Sequence, residues 1–599
     1  MRKIYYLMLL LAGMFILSTV SAQDILVVDP GDGTLNDAID ANGGNKIYQL
    51  QAGQWYGLTK VIENDGFHLQ IIGEDYDDAT MPATLQNGMT PDQLPFNPMI
   101  TAKGDVTLQN IYLMGSDING TVPSQLYVQS TEGATTVIDN CVIDPISQWH
   151  PFKFEGGMND LYFTNNIALR HGHELSANDG AFFDFDAPVG FDTCLIQNNT
   201  FVSFGMAFMF EGWKHHLHNF TLVDHNTFVH NKSQLDWVLY EKEYYFTNNL
   251  MFDFMTSPYA YHWQPMPGGE ASHPKPQLIY SDTLFAANHG VDETLPSERI
   301  QFVQYNSHYR NPGHYANVVE LNDFAADSIP KVNLQPLIWD GTTDANLGYD
   351  PALGFAESRE GNLFNHANNT NTDFPNWKYG NTMVDVDPLF NDGISGQSIY
   401  TSSDNLVEWQ KPASYLHPLA QPSTNYPPPS EWAKWHWEPD GDVAINDTWP
   451  VFDGTYTEAS TLTGSIANLP LGDLNWHPDQ MAIWEENKDA IFEHMKAGNT
   501  EKFGGSGVEP VQAARSLSRV YPNPMTNSAI IEFTLDTPAS VEIAIFNSIG
   551  QEVRSVMSEE RSSGTHRVTI DRGDLNHGLY FYSIKVGNRT ESQKLMILE

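Results

Sequence analysis

The chain has 599 residues, too many for one compact hydrophobic core, so we expect two or more domains. Lys and Arg number 30 and Asp and Glu number 74, which gives a formal net charge of −44 at pH 7. This charge argues against nucleic acid as a partner and favours solubility, salt tolerance or calcium binding. It also repels anionic polymers unless a cation intervenes.

The first 22 residues have the pattern of a secretory signal peptide. Two basic residues precede an apolar run from Ile4 to about Leu17, and small residues follow at Val20-Ser21-Ala22. This order of a basic region, a short apolar region and a small-residue cleavage site predicts removal of residues 1–22 on export. No later stretch is apolar enough to span a bilayer, so we expect no transmembrane segment.

A short apolar strand, an asparagine and a second apolar strand recur at intervals of about 23 to 33 residues. Asparagine tolerates left-handed backbone geometry, and its amide can bond the same group in a neighbouring repeat. Repeats of strand, turn and strand without a helix predict a solenoid. Aligned on the last asparagine, the segments are Leu108-Gln109-Asn110, Ile138-Asp139-Asn140, Phe163-Thr164-Asn165-Asn166, Ile196-Gln197-Asn198-Asn199, Val223-Asp224-His225-Asn226 and Phe246-Thr247-Asn248-Asn249, with Asn306 continuing the series.

Four phrases that end in a carboxylate accompany these repeats. Their apolar residues alternate with outward residues, which is the period of a strand with one buried face. If the strands stack in parallel, the four acids form a ladder at roughly 4.8 Å spacing, and a cation, a shared proton or a substrate must offset their repulsion. The phrases are Phe152-Lys153-Phe154-Glu155, Phe183-Asp184-Phe185-Asp186, Phe208-Met209-Phe210-Glu211 and Val238-Leu239-Tyr240-Glu241.

With these ladders and the opening segments Gly33–Ile39, Tyr48–Tyr56 and Leu69–Glu74, the chain resembles the right-handed parallel β-helix proteins of the pectate-lyase-like superfamily. The resemblance covers roughly residues 25 to 400. It implies a short N-terminal helix that caps the first coil, and it places the acid phrases on the sheet where that family keeps its polysaccharide cleft. The predicted fold class is all-β: a right-handed parallel β-helix solenoid followed by a small β-sandwich.

The solenoid is assigned to residues 23–400, with loop insertions near 256–300 and 344–378. Residues 401–503 are Trp- and Pro-rich, and we expect an irregular segment that packs on the solenoid and ends in a helix from Asp479 to Lys496. Residues 504–518 have the composition of a linker. Cys141 and Cys194 occupy different points of their repeats, so we expect two buried thiols and no disulfide.

The last 80 residues change to alternating strands with regular turns and a nearly neutral charge. They resemble the type A sorting domain of the Bacteroidetes type IX secretion system, which implies a β-sandwich at 519–599 that the export machinery recognises. The protein is then expected to be secreted or attached to the cell surface. The segments that carry this resemblance are Tyr521-Pro522-Asn523-Pro524, Ile531-Glu532-Phe533, Ile545-Phe546-Asn547, Gly550-Gln551-Glu552-Val553, Gly578-Leu579-Tyr580-Phe581-Tyr582 and Lys594-Leu595-Met596-Ile597.

Calcium-assisted lyase chemistry is the first functional hypothesis. A lyase removes the proton next to a uronate carboxylate, so it must neutralise that carboxylate and supply a base. Lys153 or Arg170 is the candidate base, with His171 beside it. Ca²⁺ would neutralise the carboxylate, since carboxylate oxygens are its usual ligands. The predicted metal ligands are Glu155, Asp186, Glu211 and Glu241.

Glycoside hydrolysis is the second hypothesis, because Asp184 and Asp186 are outward and two residues apart, with their Cα atoms about 6.6 Å apart. A pair of carboxylates at such a separation suits a glycosidase. Under either hypothesis, neighbouring loops supply polar and aromatic candidates for substrate binding. These are Trp213, Lys214, His215, Tyr261, His262 and Trp263.

Two further alternatives stay open. The acidic ladder is also compatible with a solvated face or a structural calcium site, and the same fold supports a non-catalytic glycan binder or adhesin. The expected partners are a polysaccharide and the type IX secretion machinery, and we expect a monomer.

Overall fold

The computed structural model describes residues 24–76, 80–144, 150–171, 181–185, 190–204, 206–209, 218–231, 236–238, 241–252, 279–281, 299–309, 376–384, 386–391, 453–504, 518–521, 525, 528–535, 538–547, 552–573, 575, 578–586 and 589–597. These residues fall into two compact units, and the boundary between the units along the chain lies between Phe503 and Gly504. The predicted signal peptide and most of the predicted insertions lie outside the described residues.

From Asp24 to Val384 the described strands form a parallel β-helix of three sheets. Between residues 46 and 281 each coil supplies a strand to the eleven-stranded sheet, then to the ten-stranded sheet, then to the eight-stranded sheet. The predicted parallel β-helix is therefore confirmed. Strands are numbered in chain order.

The eleven-stranded sheet contains β1 Asp24–Val27, β2 Lys46–Leu50, β5 Leu69–Gly73, β8 Val106–Gln109, β11 Thr135–Asp139, β14 Asp160–Thr164, β17 Thr193–Gln197, β20 His218–Asp224, β23 Glu241–Thr247, β26 Ile300–Gln304 and β28 Trp377–Gly380. The ten-stranded sheet contains β3 Trp55–Gly57, β6 Ala83–Gln86, β9 Ile111–Met114, β12 Val142–Ile143, β15 Ile167–His171, β18 Thr200–Phe204, β21 Thr227–Asn231, β24 Leu250–Phe252, β27 Ser307–Tyr309 and β29 Met383–Val384. The eight-stranded sheet contains β4 Ile62–Glu63, β7 Ile100–Ala102, β10 Tyr127–Gln129, β13 Phe152–Phe154, β16 Ala181–Asp184, β19 Met206–Met209, β22 Asp236–Val238 and β25 Ile279–Ser281.

The interior of the solenoid is a continuous apolar core with stacked aromatic rings. Phe163 stacks on Phe201 with ring centroids 6.0 Å apart, and Phe201 stacks on Phe228 at 5.1 Å. Each fully buried ring of this kind contributes about 1.5–3 kcal/mol through removal of apolar surface from water. Helix α1, Thr34–Asn42, adds Leu35 and Ile39 to the same core beside the first coils.

Two ladders, one mostly and one wholly of asparagine, lie at the turn between the eleven- and ten-stranded sheets, where the sequence predicted a single ladder. The first ladder consists of residues with left-handed φ values between 51° and 60°. The second ladder lies one residue later, and its buried amides bond from coil to coil. The left-handed positions are Asn110, Asn140, Asn165, Asn198, His225, Asn248, Tyr305 and Asn381, and the bonded ladder is Asn166, Asn199, Asn226, Asn249 and Asn306.

The predicted alignment of Asn110 and Asn140 on the bonded ladder was therefore wrong by one residue. Asp139 pairs with Thr164, which places Asn140 opposite Asn165 and Cys141 opposite Asn166. The error arose because each early coil has a single Asn, such as Asn140, which was aligned with the second Asn of a later pair, such as Asn166. The αL preference selects the first position of each pair, because that is where the turn requires a positive φ.

Cys141 and Cys194 are free and buried, as predicted. Burial raises the pKa of the Cys141 thiol to about 12. The thiol therefore stays neutral and behaves as a small apolar group of the core.

Residues 453–504 cover part of the solenoid's outer surface. Helix α2, Pro478–Lys496, is one residue longer at its start than the predicted helix. It buries Trp484 and Phe492 in a cluster that includes Leu222, Tyr245 and Phe302 of the eleven-stranded sheet. These apolar residues point away from the solenoid interior, so the helix supplies the second layer that their strands need.

The second unit, from Gly504 to Glu599, contains two antiparallel sheets around its own core. Ile531 and Phe533 from one sheet and Ile543 and Tyr582 from the other share that core, which confirms the predicted β-sandwich. One sheet consists of β30 Ser518–Tyr521, β31 Ser528–Leu535 and β34 Gly564–Asp571, and the other of β32 Ala539–Asn547, β33 Glu552–Arg561, β35 Gly578–Val586 and β36 Arg589–Ile597. Within the described part of the chain, no helix is long and apolar enough to cross a membrane.

Candidate functional site

The described parts of the first three acid phrases lie on adjacent strands of the eight-stranded sheet, in the predicted register. Lys153 on β13 pairs with Asp184 on β16, and Asp184 pairs with Met209 on β19. Phe154 and Phe185 stack with their centroids 5.4 Å apart, which continues the alignment beyond the last paired residues. The strands thus hold Lys153 and Asp184 side by side although 31 residues separate them in the chain.

The fourth phrase does not join this ladder. On β22 the partners of Phe208 and Met209 are Asp236 and Trp237, two residues earlier than predicted. A slip of two residues keeps the same faces of the strand, so alternation in the sequence cannot distinguish the two registers. The prediction that Val238 and Leu239 occupy these positions was wrong.

Glu241 consequently lies elsewhere, as the first residue of β23 in the eleven-stranded sheet, where it pairs with His218. Its carboxylate is buried and accepts a hydrogen bond from the Thr221 hydroxyl at 2.9 Å. Its backbone carbonyl accepts a hydrogen bond from Nε of the buried Arg299 at 2.7 Å. The structure therefore separates Glu241 from the predicted group of metal ligands.

Lys153 lies among carboxylates at the centre of the eight-stranded sheet. Its Nζ is 2.9 Å from Oε1 of Glu155, and its side chain is 19% exposed while that of Glu155 is 47% exposed. Asp184 occupies the neighbouring register position. Nearby carboxylates stabilise the charged ammonium, so Lys153 enters the site as a cation.

His150 is a site residue that the sequence interpretation missed. Its Nε2 lies 3.9 Å from Oδ2 of Asp184, and the two side chains are 9% and 11% exposed. The sequence signal is modest: His150 precedes Pro151 and the first acid phrase by only one residue. The structure thus brings together an imidazole, a carboxylate and an ammonium group, which can exchange protons and bind a carboxylate.

Arg170 and His171 lie at the end of β15 in the ten-stranded sheet, so they are not on the strands that carry Lys153 and Asp184. His171 pairs with Phe204 of β18. Along the chain, β15, which contains Arg170 and His171, is followed by β16, which contains Asp184. Their proposed roles in catalysis stay predictions.

The other predicted site residues lie outside the described residues: Asp186, Glu211, Trp213, Lys214, His215, Tyr261, His262 and Trp263. Within the part of the chain that the structure describes, no group of three or more His, Cys, Asp or Glu side chains could hold a metal ion. Of the four predicted calcium ligands, the described residues therefore place only Glu155 on this face.

A second lysine lies on the same sheet face toward the N-terminus of the solenoid. Lys103 Nζ is 2.6 Å from Oε2 of Glu63 and 3.7 Å from Oδ1 of Asp65. The hydrogen bond that Lys103 donates to the Glu63 carboxylate raises the pKa of Lys103, so this lysine is also a cation at neutral pH. Both lysines are thus matched with carboxylates before any ligand binds.

Comparison with known proteins identifies the second unit. Residues 519–598 match the family model described as a secretion system C-terminal sorting domain. No curated protein matches the chain. Among solved structures it is similar to the PL6 family alginate lyase AlyGC, with 15% identity, a TM-score of 0.25 and coverage of 39% of this chain and 36% of that chain.

The match thus spans about a third of the alginate lyase's length. The sorting domain indicates export through the type IX secretion machinery, followed by secretion or attachment to the cell surface. The strand topology and the family match together identify the chain as a parallel β-helix protein that carries a C-terminal secretion sorting domain.

Proposed function

We propose that the protein is an exported polysaccharide lyase that cleaves a uronic-acid polymer by β-elimination on the outer face of the eight-stranded sheet. The observation that carries this proposal is the register pairing of Lys153 with Asp184, with His150 beside Asp184. A cation next to an imidazole–carboxylate pair supplies both functions that the reaction requires.

Lys153 binds the uronate carboxylate. Its ammonium group exchanges its ion pair with Glu155 for one with the substrate, which makes the neighbouring C5 proton more acidic. His150 accepts that proton, and Asp184 stabilises the imidazolium that forms. The electron pair left at C5 forms the C4–C5 double bond as the C4–O bond breaks, and the departing oxygen takes a proton from solvent water.

Calcium is a separate part of the proposal. A calcium site would require Asp186 and Glu211 as ligands together with Glu155. Of these three residues, only Glu155 lies among the described residues of this face. No step of the reaction is therefore assigned to the ion. Activity that disappears in excess EDTA and returns with Ca²⁺ would support calcium binding, and full activity in EDTA would contradict it.

The test is ultraviolet absorbance of new unsaturated ends when the full chain is incubated with alginate, polygalacturonate or chondroitin sulfate. Lys153→Ala and Asp184→Asn should each lower kcat/KM by about 100-fold or more, the usual range for the loss of a group that stabilises charge in the transition state. Lys46→Ala is the matched control, because Lys46 also forms a 2.9 Å ion pair, with Asp24 on the eleven-stranded sheet. It should retain activity.

The other hypotheses have distinct outcomes in the same assay. New reducing ends without absorbance would replace the lyase with a glycoside hydrolase. Retention of the polymers without any cleavage would indicate a glycan binder. Wild-type activity in Lys153→Ala and Asp184→Asn would remove this face as the reaction centre.

A further inference from the structure

The corrected register of β22 brings two aromatic residues onto the row that contains Lys153. Asp184 pairs with Met209, Met209 pairs with Trp237, and Trp237 pairs with Tyr280 on β25. Together with Lys153 these positions form one unbroken line across five strands, which we call the Lys153 row. The sequence alignment had placed Leu239 where Trp237 lies.

Positions that pair across a parallel sheet share one face, and neighbouring strands are roughly 4.8 Å apart. Trp237 and Tyr280 therefore hold register positions about 14 and 19 Å from Lys153 along the sheet. An extended sugar chain that binds at Lys153 and follows the row would place its next residues over these positions. Flat aromatic rings with a polar edge suit the faces of sugar rings.

The row is asymmetric about Lys153. In the opposite direction it continues through Val128 and Thr101 to Glu63, none of which is aromatic. Among the described positions of the row, the aromatic residues therefore lie on the side that runs toward the C-terminal coils. That difference would fix the direction in which a polymer lies across the reaction centre.

We propose that Trp237 and Tyr280 form sugar-stacking subsites for the uronic-acid polymer, on the C-terminal side of Lys153. The inference rests on the proposed function for its ligand, since the occupant is the substrate held at Lys153. Continuity of the register supports this occupant, because the same row joins the aromatic positions to the cationic one. The two subsites hold the chain and take no part in proton transfer.

The experiment measures binding and cleavage separately with the full chain. Affinity electrophoresis in gels that contain alginate, polygalacturonate or chondroitin sulfate gives Kd, with Asp184→Asn as the background in which polymer stays intact. Trp237→Ala and Tyr280→Ala should each weaken binding about tenfold, and Trp237→Phe should retain most of it. In the active protein the same changes should raise KM, leave kcat within about twofold, and lengthen the oligosaccharide products.

Trp55→Ala is the matched control, because Trp55 is an exposed tryptophan on β3 of the ten-stranded sheet. Its binding should equal that of the parent protein. Equal Kd and KM in the Trp237→Ala, Tyr280→Ala double variant, with an unchanged unfolding temperature, would overturn the inference. An aromatic-dependent Kd without any cleavage would support the subsites and contradict the lyase, and wild-type protein that binds none of the polymers would overturn both.

Discussion

Asp473 is a buried carboxyl at the point where residues 453–504 meet the ten-stranded sheet. Its Oδ2 accepts a hydrogen bond from the Thr200 hydroxyl at 2.8 Å, and its backbone N–H donates to the Thr227 hydroxyl at 2.9 Å. The adjacent Asn475 donates two more bonds to Oδ1. Burial outweighs these bonds and raises the pKa of Asp473 to about 7.

This raised pKa makes stability depend on pH. Between the ordinary value of 3.8 and about 7, the folded protein keeps a proton that the unfolded chain has lost. The free energy of unfolding therefore falls as pH rises through this window, by an amount on the order of a few kcal/mol. Asp473→Asn has no proton to lose, so its unfolding temperature should fall less between pH 5 and pH 8 than that of the wild type.

Thermal unfolding followed by tryptophan fluorescence is the suitable measurement, because residues 504–599 contain no Trp and the signal reports the β-helix unit alone. Asp92→Asn removes the same charge at an exposed position and controls for general repulsion in this acidic chain. Parallel pH curves for Asp473→Asn and wild type would contradict the assignment.

At the scale of single residues, sequence reasoning was reliable where strand alternation and register agreed. It paired Lys153 with Asp184 correctly, because two Phe residues on each strand fix which face is buried. It misplaced Glu241, since a two-residue slip preserves alternation, and it missed His150, which lies before the strand where no periodic pattern applies.

The bonded Asn ladder is the element that joins successive coils at the turn. Oδ1 of Asn226 accepts bonds from both the backbone and side-chain nitrogens of Asn199, at 3.1 and 2.9 Å. Nδ2 of Asn226 donates onward to Asn249 at 3.1 Å. Each rung therefore satisfies buried polar groups of its neighbours as well as its own.

Asn226→Ala should therefore be costly. It leaves the buried Asn199 backbone N–H without its acceptor, and an unsatisfied buried group costs about 1–3 kcal/mol. It also removes the hydrogen bonds that Asn226 donates to the Ile196 carbonyl and to Asn249, each of which contributes about 1 kcal/mol. We expect a loss of about 3 kcal/mol or more, seen as a lower guanidinium midpoint by tryptophan fluorescence. Asn45→Ala is the control, since the Asn45 amide makes one exposed bond to the Asn42 carbonyl at 3.1 Å. Equal midpoints for Asn226→Ala and wild type would show that the ladder is not stabilising.

At the scale of elements, the position of the Asn turn was predictable from the sequence, but the assignment of its two roles to two adjacent residues was not. Both properties of asparagine, left-handed backbone and amide bonding, were expected from the sequence, yet they belong to adjacent residues such as Asn165 and Asn166. Helix α2 was predictable within one residue, because its apolar spacing and the Gly498 stop are local signals. Its packing on Leu222 and Tyr245 depends on contacts distant in sequence, which local patterns do not encode.

For the whole molecule, the division into two units separates export from the proposed chemistry. The sorting domain has its own core and a nearly balanced charge, with eight Lys and Arg against ten Asp and Glu from Arg519 onward. Almost all of the net charge of −44 therefore belongs to the chain before residue 519. The body that is proposed to bind an anionic polymer is itself strongly anionic.

This charge predicts an unusual salt dependence. Raising ionic strength from about 0.01 M to 0.15 M shortens the Debye length from roughly 30 to 8 Å, which screens the distant acidic surface from an approaching polymer. The short ion pair of Lys153 with a bound uronate is screened much less. We therefore expect kcat/KM on polygalacturonate to rise several-fold over this range. A rate on polygalacturonate that falls steadily with salt would mean that local cations such as Lys103 and Lys153 outweigh the charge of the body. In that case the repulsion argument fails, because attraction at the site would already dominate the approach of the substrate.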